Sequence, residues 1–457
     1  MNGQAPLGLS TATWRLVLVA GIAVGVVYAL SPLTVWFALA MVLLLRWVRR
    51  DLDGDERRTV TVLLVIAIAL RVIAVGGLFA STNHAHVLFG TFFGDEEYFI
   101  KRSIWIRNVA LGIPIHGADL IYAFDEYSQT SFLYVLAFVQ MLVGTAPYGA
   151  RLLGIMCYLT ATVVLFRLVR GTLGRLPALF GFALLLFLPS MFVWSISVLK
   201  EPLFFLLTAL SVAFAVTLVR GPGWRRRVLA LAVIVALAAA LETIRSAGAA
   251  LSAASVLGGL AVAWLLLHPR WVLALVVATP IVAGVALSHP KAQMKVFAGV
   301  QAAAKQHWGH VATAGWVYKT LDERFYPDRG EIGDMQFDEA LRFLVRSSVR
   351  YVTVPLPWEA RSTATLAYLP EYIVWCLLVA LALIGLPFAF RRDIIVAGLL
   401  VGHAVVAAAT VALISGNIGT LVRHRGLALP YFVWLSGVGA CELLAAGRPR
   451  NAHVDSR

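Results

Sequence analysis

Long apolar runs alternate with short arginine-bearing stretches along this chain, and that alternation predicts most of its structure. A helix that crosses a bilayer needs about 20 apolar residues, within a range of about 17–25. Runs of that character occupy 14–30, 33–48, 60–80, 151–169, 176–193, 202–219, 228–241, 247–267, 271–287, 372–390, 394–414 and 429–446. Ser31-Pro32 breaks the first run from the second, which is short. The run 131–143 is shorter still and reads as a re-entrant or interfacial helix. Two polar stretches interrupt the pattern, 81–130 and 289–370. In the first, Tyr98, Phe99, Trp105 and Ile106 recur at helical spacing among polar residues, which predicts short interfacial helices. In the second, helical periodicity is concentrated around 337–351.

The arginines assign sides. Arg46, Arg49, Arg50, Arg57 and Arg58 crowd one loop, which the positive-inside rule puts in the cytoplasm. With 131–143 left out of the count, Arg167, Arg170 and Arg175 fall inside, as do Arg220, Arg225, Arg226 and Arg227, and then Arg391 and Arg392. Treating that run as a full span would put the first two of these groups outside. The expected fold class is therefore an all-α polytopic membrane protein with about 12 transmembrane helices, both ends inside, and two large extracytoplasmic loops. The whole chain, 1–457, reads as a single membrane domain. Residues 1–58 form an extra N-terminal hairpin and cytoplasmic loop, 81–130 the first outer loop, 289–370 the second, and 371–457 the last helices.

Composition agrees. Of 457 residues, 60% are hydrophobic and only 14% charged, where soluble domains run nearer a quarter charged. The formal charge of +14 is spread over loops between apolar runs, with no basic domain able to track a phosphate backbone, so nucleic acid is excluded as a partner. Cys157, Cys376 and Cys441 all lie in apolar segments and form no framework of outer disulfides. Asp51-Leu52-Asp53 has the spacing of a metal-binding DxD, but it lies between arginines and reads as a solvated linker.

On this topology the outer face collects the polar chemistry. The first outer loop carries Asp95, Glu96 and Glu97, followed by Tyr98. Lys200-Glu201 opens a later helix, Glu242 and Arg245 share a tight turn, and Arg361 precedes another helix. The last loop holds Asn417, Arg423, His424 and Arg425. Arg71 sits at mid-depth in a span, where an arginine faces a partner or an aqueous cavity. Acids clustered in one loop and bases in several others suit a reaction in which a carboxylate takes a proton from a hydroxyl while guanidinium and ammonium groups hold a phosphate. From spacing alone, three loop acids read equally as a solvated turn, Lys200-Glu201 as a cap with a snorkelling lysine, and Arg423 and Arg425 as headgroup anchors.

The order of motifs adds to this. Gly94-Asp95-Glu96-Glu97-Tyr98 is followed by the short apolar run, by Ala150-Arg151-Leu152 opening a helix, by Leu188-Pro189-Ser190 and an aromatic closing the next, by Lys200-Glu201, and by Arg245-Ser246-Ala247-Gly248. In that order the stretch 93–220, with the turn at Arg245, resembles the GT-C superfamily of polyprenyl-phosphate-sugar glycosyltransferases, near its protein-mannosyltransferase and aminoarabinose-transferase branch. The resemblance implies an inverting transferase at the outer face of a bacterial plasma membrane. It implies Asp95 as catalytic base with Glu96 beside it. Glu97 and Tyr98 would orient the acceptor, and Lys200, Arg245, Arg423 and Arg425 would bind the donor phosphate. Glu201, Glu242, Arg361 and Asn417 are further candidates. The partners implied are a polyprenyl-phosphate-sugar donor, a glycan, lipid or protein acceptor, and the bilayer. No metal or other cofactor is obligatory; a divalent cation is compatible with the site but not indicated by it. The chain departs from the family in Gln129-Thr130-Ser131, where Pro-Pro is common, and in its N-terminal hairpin. A glycan polymerase or ligase of the O-antigen type and a transporter or flippase are the alternatives. Sidedness is checked by cysteine labelling of intact cells: an impermeant maleimide should react at Gly94→Cys and not at Gly54→Cys, and the reverse pattern inverts the topology.

Overall fold

The computed structural model describes residues 10–87, 89–126, 130–314, 319–321, 337–359 and 363–447. The described residues are helical apart from loops and one isolated bridge between Lys319 and Asn417. In chain order the helices are α1 (Thr11–Leu30), α2 (Leu33–Val48), α3 (Gly54–Ser81), α4 (Gly94–Ala110), α5 (Gly117–Ala123), α6 (Ser131–Val143), α7 (Pro147–Thr172), α8 (Arg175–Phe187), α9 (Pro189–Ile196), α10 (Glu201–Arg220), α11 (Trp224–Ile244), α12 (Gly248–Leu267), α13 (Pro269–Ser288), α14 (Pro290–Ala314), α15 (Phe337–Thr353), α16 (Thr363–Arg392), α17 (Ile394–Ile414), α18 (Ile418–Arg425) and α19 (Leu429–Ala446).

Each apolar run expected to span is helical. Among the described residues, 8 helices are long and apolar enough to cross a membrane: α3, α7, α10, α11, α12, α16, α17 and α19. The pair α8 and α9 makes up to 9 if it counts as one span; it breaks where Pro189, which has no N–H to donate, follows Leu188. Helix α2 is shorter, at 16 residues. The chain is thus an all-helical, multi-pass membrane protein. The first polar stretch holds short helices, α4, which carries Tyr98, Phe99, Trp105 and Ile106, and α5, and the apolar run after it is the 13-residue helix α6. Part of the second polar stretch, including Arg361, lies outside the described residues.

The chain divides into two compact units. The first comprises Met1–Val163, Phe192–Leu207 and Thr243–Ser246. In it α4 packs on α5 and α6. Thr130 caps α6, and Gly144, at φ 85°, ends it in a conformation that a side chain would strain. Gln140 of α6 donates to Ser103 Oγ at 3.0 Å and accepts from Arg107 Nε through its backbone oxygen at 3.1 Å. Thr130 Oγ1 donates to Ile244 O at 2.6 Å, which holds the turn 243–246 at the start of α6.

The second unit comprises Val164–Met191, Thr208–Glu242 and Ala247–Arg457. Its main helix pairs are α12 with α17 and α16 with α19, and α8 also packs on α19. Between apolar helices in lipid there is little hydrophobic drive, and close backbone approach replaces it. Gly259 faces Gly398 and Gly402 across α12 and α17, and Gly385 faces Gly439 across α16 and α19; a Cβ at any of these would strike the facing backbone. Helices α14 and α15 close a small core of Ala304, Val311, Leu321 and Phe343 against Leu413 of α17. At the turn between α16 and α17, Asp393 accepts from the N–H of Ile395 and Val396 at 3.1 and 3.0 Å and meets Arg220 in a two-pronged pair at 2.6 and 2.7 Å.

Burial opposes ionisation of Asp393, but Arg220 and the two helix N–H groups outweigh it and hold the carboxyl below its ordinary value. A depressed carboxyl stabilises the fold above its unfolded pKa and loses that contribution as the pH falls through the folded one. Asp393→Ala should therefore cost about 1 kcal/mol at neutral pH, the usual value of a lost cap. Thermal unfolding in detergent should show that gap narrowing as the pH falls below the carboxylate range.

Candidate functional site

The acidic loop becomes the first turn of α4, and its three carboxylates part company there. Glu96 turns inward and is fully buried. Its Oε1 accepts from the N–H of Phe92 and Phe93 at 2.7 and 2.9 Å, closing a capping box on the helix. Its Oε2 accepts from Val198 N at 3.0 Å and pairs with Arg151 Nη1 at 2.6 Å. Arg151, also buried, donates to Ile196 O at 3.0 Å and Gly90 O at 2.6 Å, and its guanidinium lies 5.1 Å from the centre of the Phe92 ring. Four donors thus hold the Glu96 carboxylate. It is an anchor, and to take a proton from a substrate it would have to release one of them.

Asp95 and Glu97 face outward. Glu97 pairs with Lys101 one turn along, at 2.5 Å, and both side chains are about half exposed. Such a pair is worth a few tenths of a kcal/mol. Asp95 stands in the first turn of α4, at the positive end of the helix dipole. Tyr98 is half-buried, and its hydroxyl receives a hydrogen bond from Arg102. Arg102 was not singled out by sequence, although its i+4 spacing from Tyr98 carried the signal. It is buried, lies over the rings of Tyr98 and Tyr122, and donates to Ala123 O and Asp125 O at 3.1 and 2.6 Å. It thereby ties the end of α5 to α4.

The other expected residues fall in both units. Lys200, half-buried, precedes α10, two residues beyond the Val198 N–H that Glu96 receives. Glu201 is buried, and its Oε2 has no hydrogen-bond partner. Arg245 is half-buried in the turn held by Thr130. In the second unit, Glu242 accepts from Ala247 N and Ala249 N at 3.2 and 3.0 Å and so caps α12. Asn417 caps α18 through Gly419 N at 2.7 Å. Arg423 is half-buried in the last turn of α18. Arg425 is buried and committed: it donates to the carbonyls of Tyr351, Val352 and Val354, and lies 4.7 Å from the Trp375 ring centre. Those carbonyls belong to the end of α15 and the residues after it, so Arg425 collars a helix C-terminus and has no fork left for a phosphate.

Among the described residues Arg71 meets no acid. Its Nε donates to Ser195 Oγ at 2.8 Å and its Nη1 to Ala67 O at 3.1 Å, with the rings of Phe192 and Tyr158 at 4.9 and 5.3 Å. On the same face of α3, one turn on, Val75 enters the lining of a cavity of about 630 Å³ in the first unit. Leu78, Phe79, Phe89 and Tyr148 make that cavity mostly apolar, while His84 and Arg151 supply polar groups. An apolar cavity with a few placed polar groups has the make-up of a ligand site. Among the described residues no three His, Cys, Asp or Glu side chains gather as a metal site would need.

Fold and site together define an all-helical, multi-pass membrane protein with an anchored acidic loop beside an apolar cavity. No protein-family model, curated protein or solved structure matches this chain.

The anchor generates a comparison of two neighbours. Glu96→Gln would keep one acceptor but turn an amide N–H₂ toward Arg151 and Val198, leaving a buried cation unpaired. Breaking a buried pair costs about 3–5 kcal/mol, and the exposed Glu97→Gln should cost under about 1 kcal/mol. Thermal unfolding of the two purified variants measures the difference; equal losses would remove Glu96 from its anchoring role.

Proposed function

We propose that this chain is an integral membrane glycosyltransferase that passes a sugar from a polyprenyl-phosphate carrier to an acceptor outside a bacterial plasma membrane, with inversion. The observation that carries the proposal is the junction at Glu96. Three separated motifs meet there: the acidic loop, the helix opening at Ala150-Arg151-Leu152, and the segment that leads into Lys200-Glu201. The apolar cavity beside Arg151 offers room for the chain of a lipid carrier.

In the proposed reaction the Asp95 carboxylate takes the proton of the acceptor hydroxyl. The acceptor oxygen bonds to the anomeric carbon from the face opposite the carrier. The bond between that carbon and the phosphate oxygen breaks, and its electron pair leaves with the phosphate. Inversion follows from attack on the opposite face. Lys200 and Arg245, in the same unit as Asp95, are the cations we assign to offset the charge that grows on the leaving phosphate. Glu96 contributes by holding the turn that presents Asp95.

General-base catalysis contributes about 10²–10⁴-fold, so Asp95→Asn should lower sugar transfer in membranes by that much. Because Asp95 is exposed, its variant should stay folded, losing at most about 1 kcal/mol of stability. Normal turnover in a well-expressed Asp95→Asn protein would take Asp95 out of the chemistry.

A further inference from the structure

Helix α15 has three faces. Ala340, Phe343, Ser347 and Tyr351 recur at helical spacing on the buried one, packed toward α14 and α17. Asp338, Arg342 and Arg346 lie along a charged edge, with Asp338 and Arg342 paired at 2.7 Å. Between them runs an apolar stripe that no part of the described chain covers. Leu341 is 51% exposed, Val345 54%, Val349 52%, and Val352 follows one turn on. Trp358, just past the helix, is 75% exposed.

The depth of this stripe can be read from α16, a candidate span that ends in Arg391 and Arg392. Tyr372 Oη donates to Thr353 O at 2.8 Å, and Trp375 Nε1 donates to Val352 O at 3.2 Å. The C-terminus of α15 is thus pinned at the level of Tyr372. At 1.5 Å per residue, Tyr372 stands about 28 Å along the helix from Arg391. The hydrocarbon core of a bilayer is about 30 Å thick. If the basic pair marks one edge of the hydrocarbon, Tyr372 marks the other, and α15 starts from that edge.

We propose that α15 lies in the lipid surface at that edge, with Leu341, Val345, Val349 and Val352 seated against the acyl chains and Arg342 and Arg346 at the depth of anionic headgroups. Its occupant is the bilayer. An amphipathic helix with arginines on its polar edge and an adjacent exposed tryptophan has the make-up of an interfacial helix. The charged edge fits lipid phosphates, and the stripe is continuous with the span to which the helix is tied. The outer polar stretch then reaches the membrane through α15, whether or not the chain transfers a sugar.

The test uses the full chain in liposomes of phosphatidylethanolamine and phosphatidylglycerol, with Cys376 and Cys441 replaced by alanine and the buried Cys157 kept. A nitroxide is attached at Leu341→Cys, Val345→Cys, Val349→Cys, Arg342→Cys or Arg346→Cys. Its relaxation is measured with oxygen, which concentrates in lipid, and with a nickel chelate, which stays in water. The first three labels should favour oxygen and the last two the chelate, so that the ratio reverses around the helix. Equal access of the chelate to all five overturns the proposal in favour of a lid standing in water. Exclusion of both reagents from the first three overturns it in favour of a protein partner on the stripe.

Discussion

A buried ion pair between Glu96 and Arg151 holds the first unit's polar end together. Removing two charges from water costs several kcal/mol each, and their attraction repays it only when the remaining donors and acceptors are also satisfied. Here they are met by backbone. Three N–H groups point at Glu96, and two carbonyls accept from Arg151. The pair therefore fixes three stretches of chain as well as two side chains: 90–93 ahead of α4, the opening of α7, and 196–198 ahead of α10. Backbone groups buried in such a junction need partners from the chain itself, and the pair supplies them.

The same device recurs. Arg102 gathers the carbonyls of Ala123, the last residue of α5, and of Asp125 beyond it. Arg425 gathers those that end α15. Arg392 takes Leu173 O at 2.6 Å and Glu442 at 2.6 Å, and Arg350 takes Thr320 O at 2.6 Å with Glu359 at 2.7 Å. A helix leaves its last carbonyls unpaired, with partial negative charge on them. A planar guanidinium offers five donors in a fork, so one arginine can serve several carbonyls at once. The fork that grips phosphate serves equally well here, which is why a run of bases in sequence did not reveal that Arg425 is occupied by its own chain.

That contrast marks what could be read in advance. The helices were legible because the length of an apolar run is a local property; 60–80, 394–414 and 429–446 all fall within helices close to their predicted bounds. Helix α6 was legible for the same reason, and α4 from the helical spacing of Tyr98, Phe99, Trp105 and Ile106. Which of Asp95, Glu96 and Glu97 turns inward was not, because the choice is made by Arg151 and by the Val198 N–H, far along the chain. Three like residues in a row cannot announce which one meets them. Arg71 was legible as a membrane-embedded cation, yet its partners proved to be a serine hydroxyl, a backbone carbonyl and two aromatic faces, which carry no charge signal in the sequence.

Arg71 and Arg151 act on one short segment from two different helices. Arg71 lies against Phe192 and bonds Ser195; Arg151 bonds Ile196 O; Glu96 receives Val198 N. The segment 192–198 is thus held at four successive points immediately before Lys200. Aromatic faces and hydrogen bonds offset part of the cost of burying Arg71, which meets no acid among the described residues, so the grip on Phe192 and Ser195 also serves that buried cation. In the proposed transfer Lys200 would meet a charge that exists only as the carrier phosphate leaves, and such stabilisation is effective when the group is in place beforehand. A lysine on a free loop would spend part of that interaction on being ordered. Following a clamped segment, it starts from a backbone already fixed against the same anchor that presents Asp95.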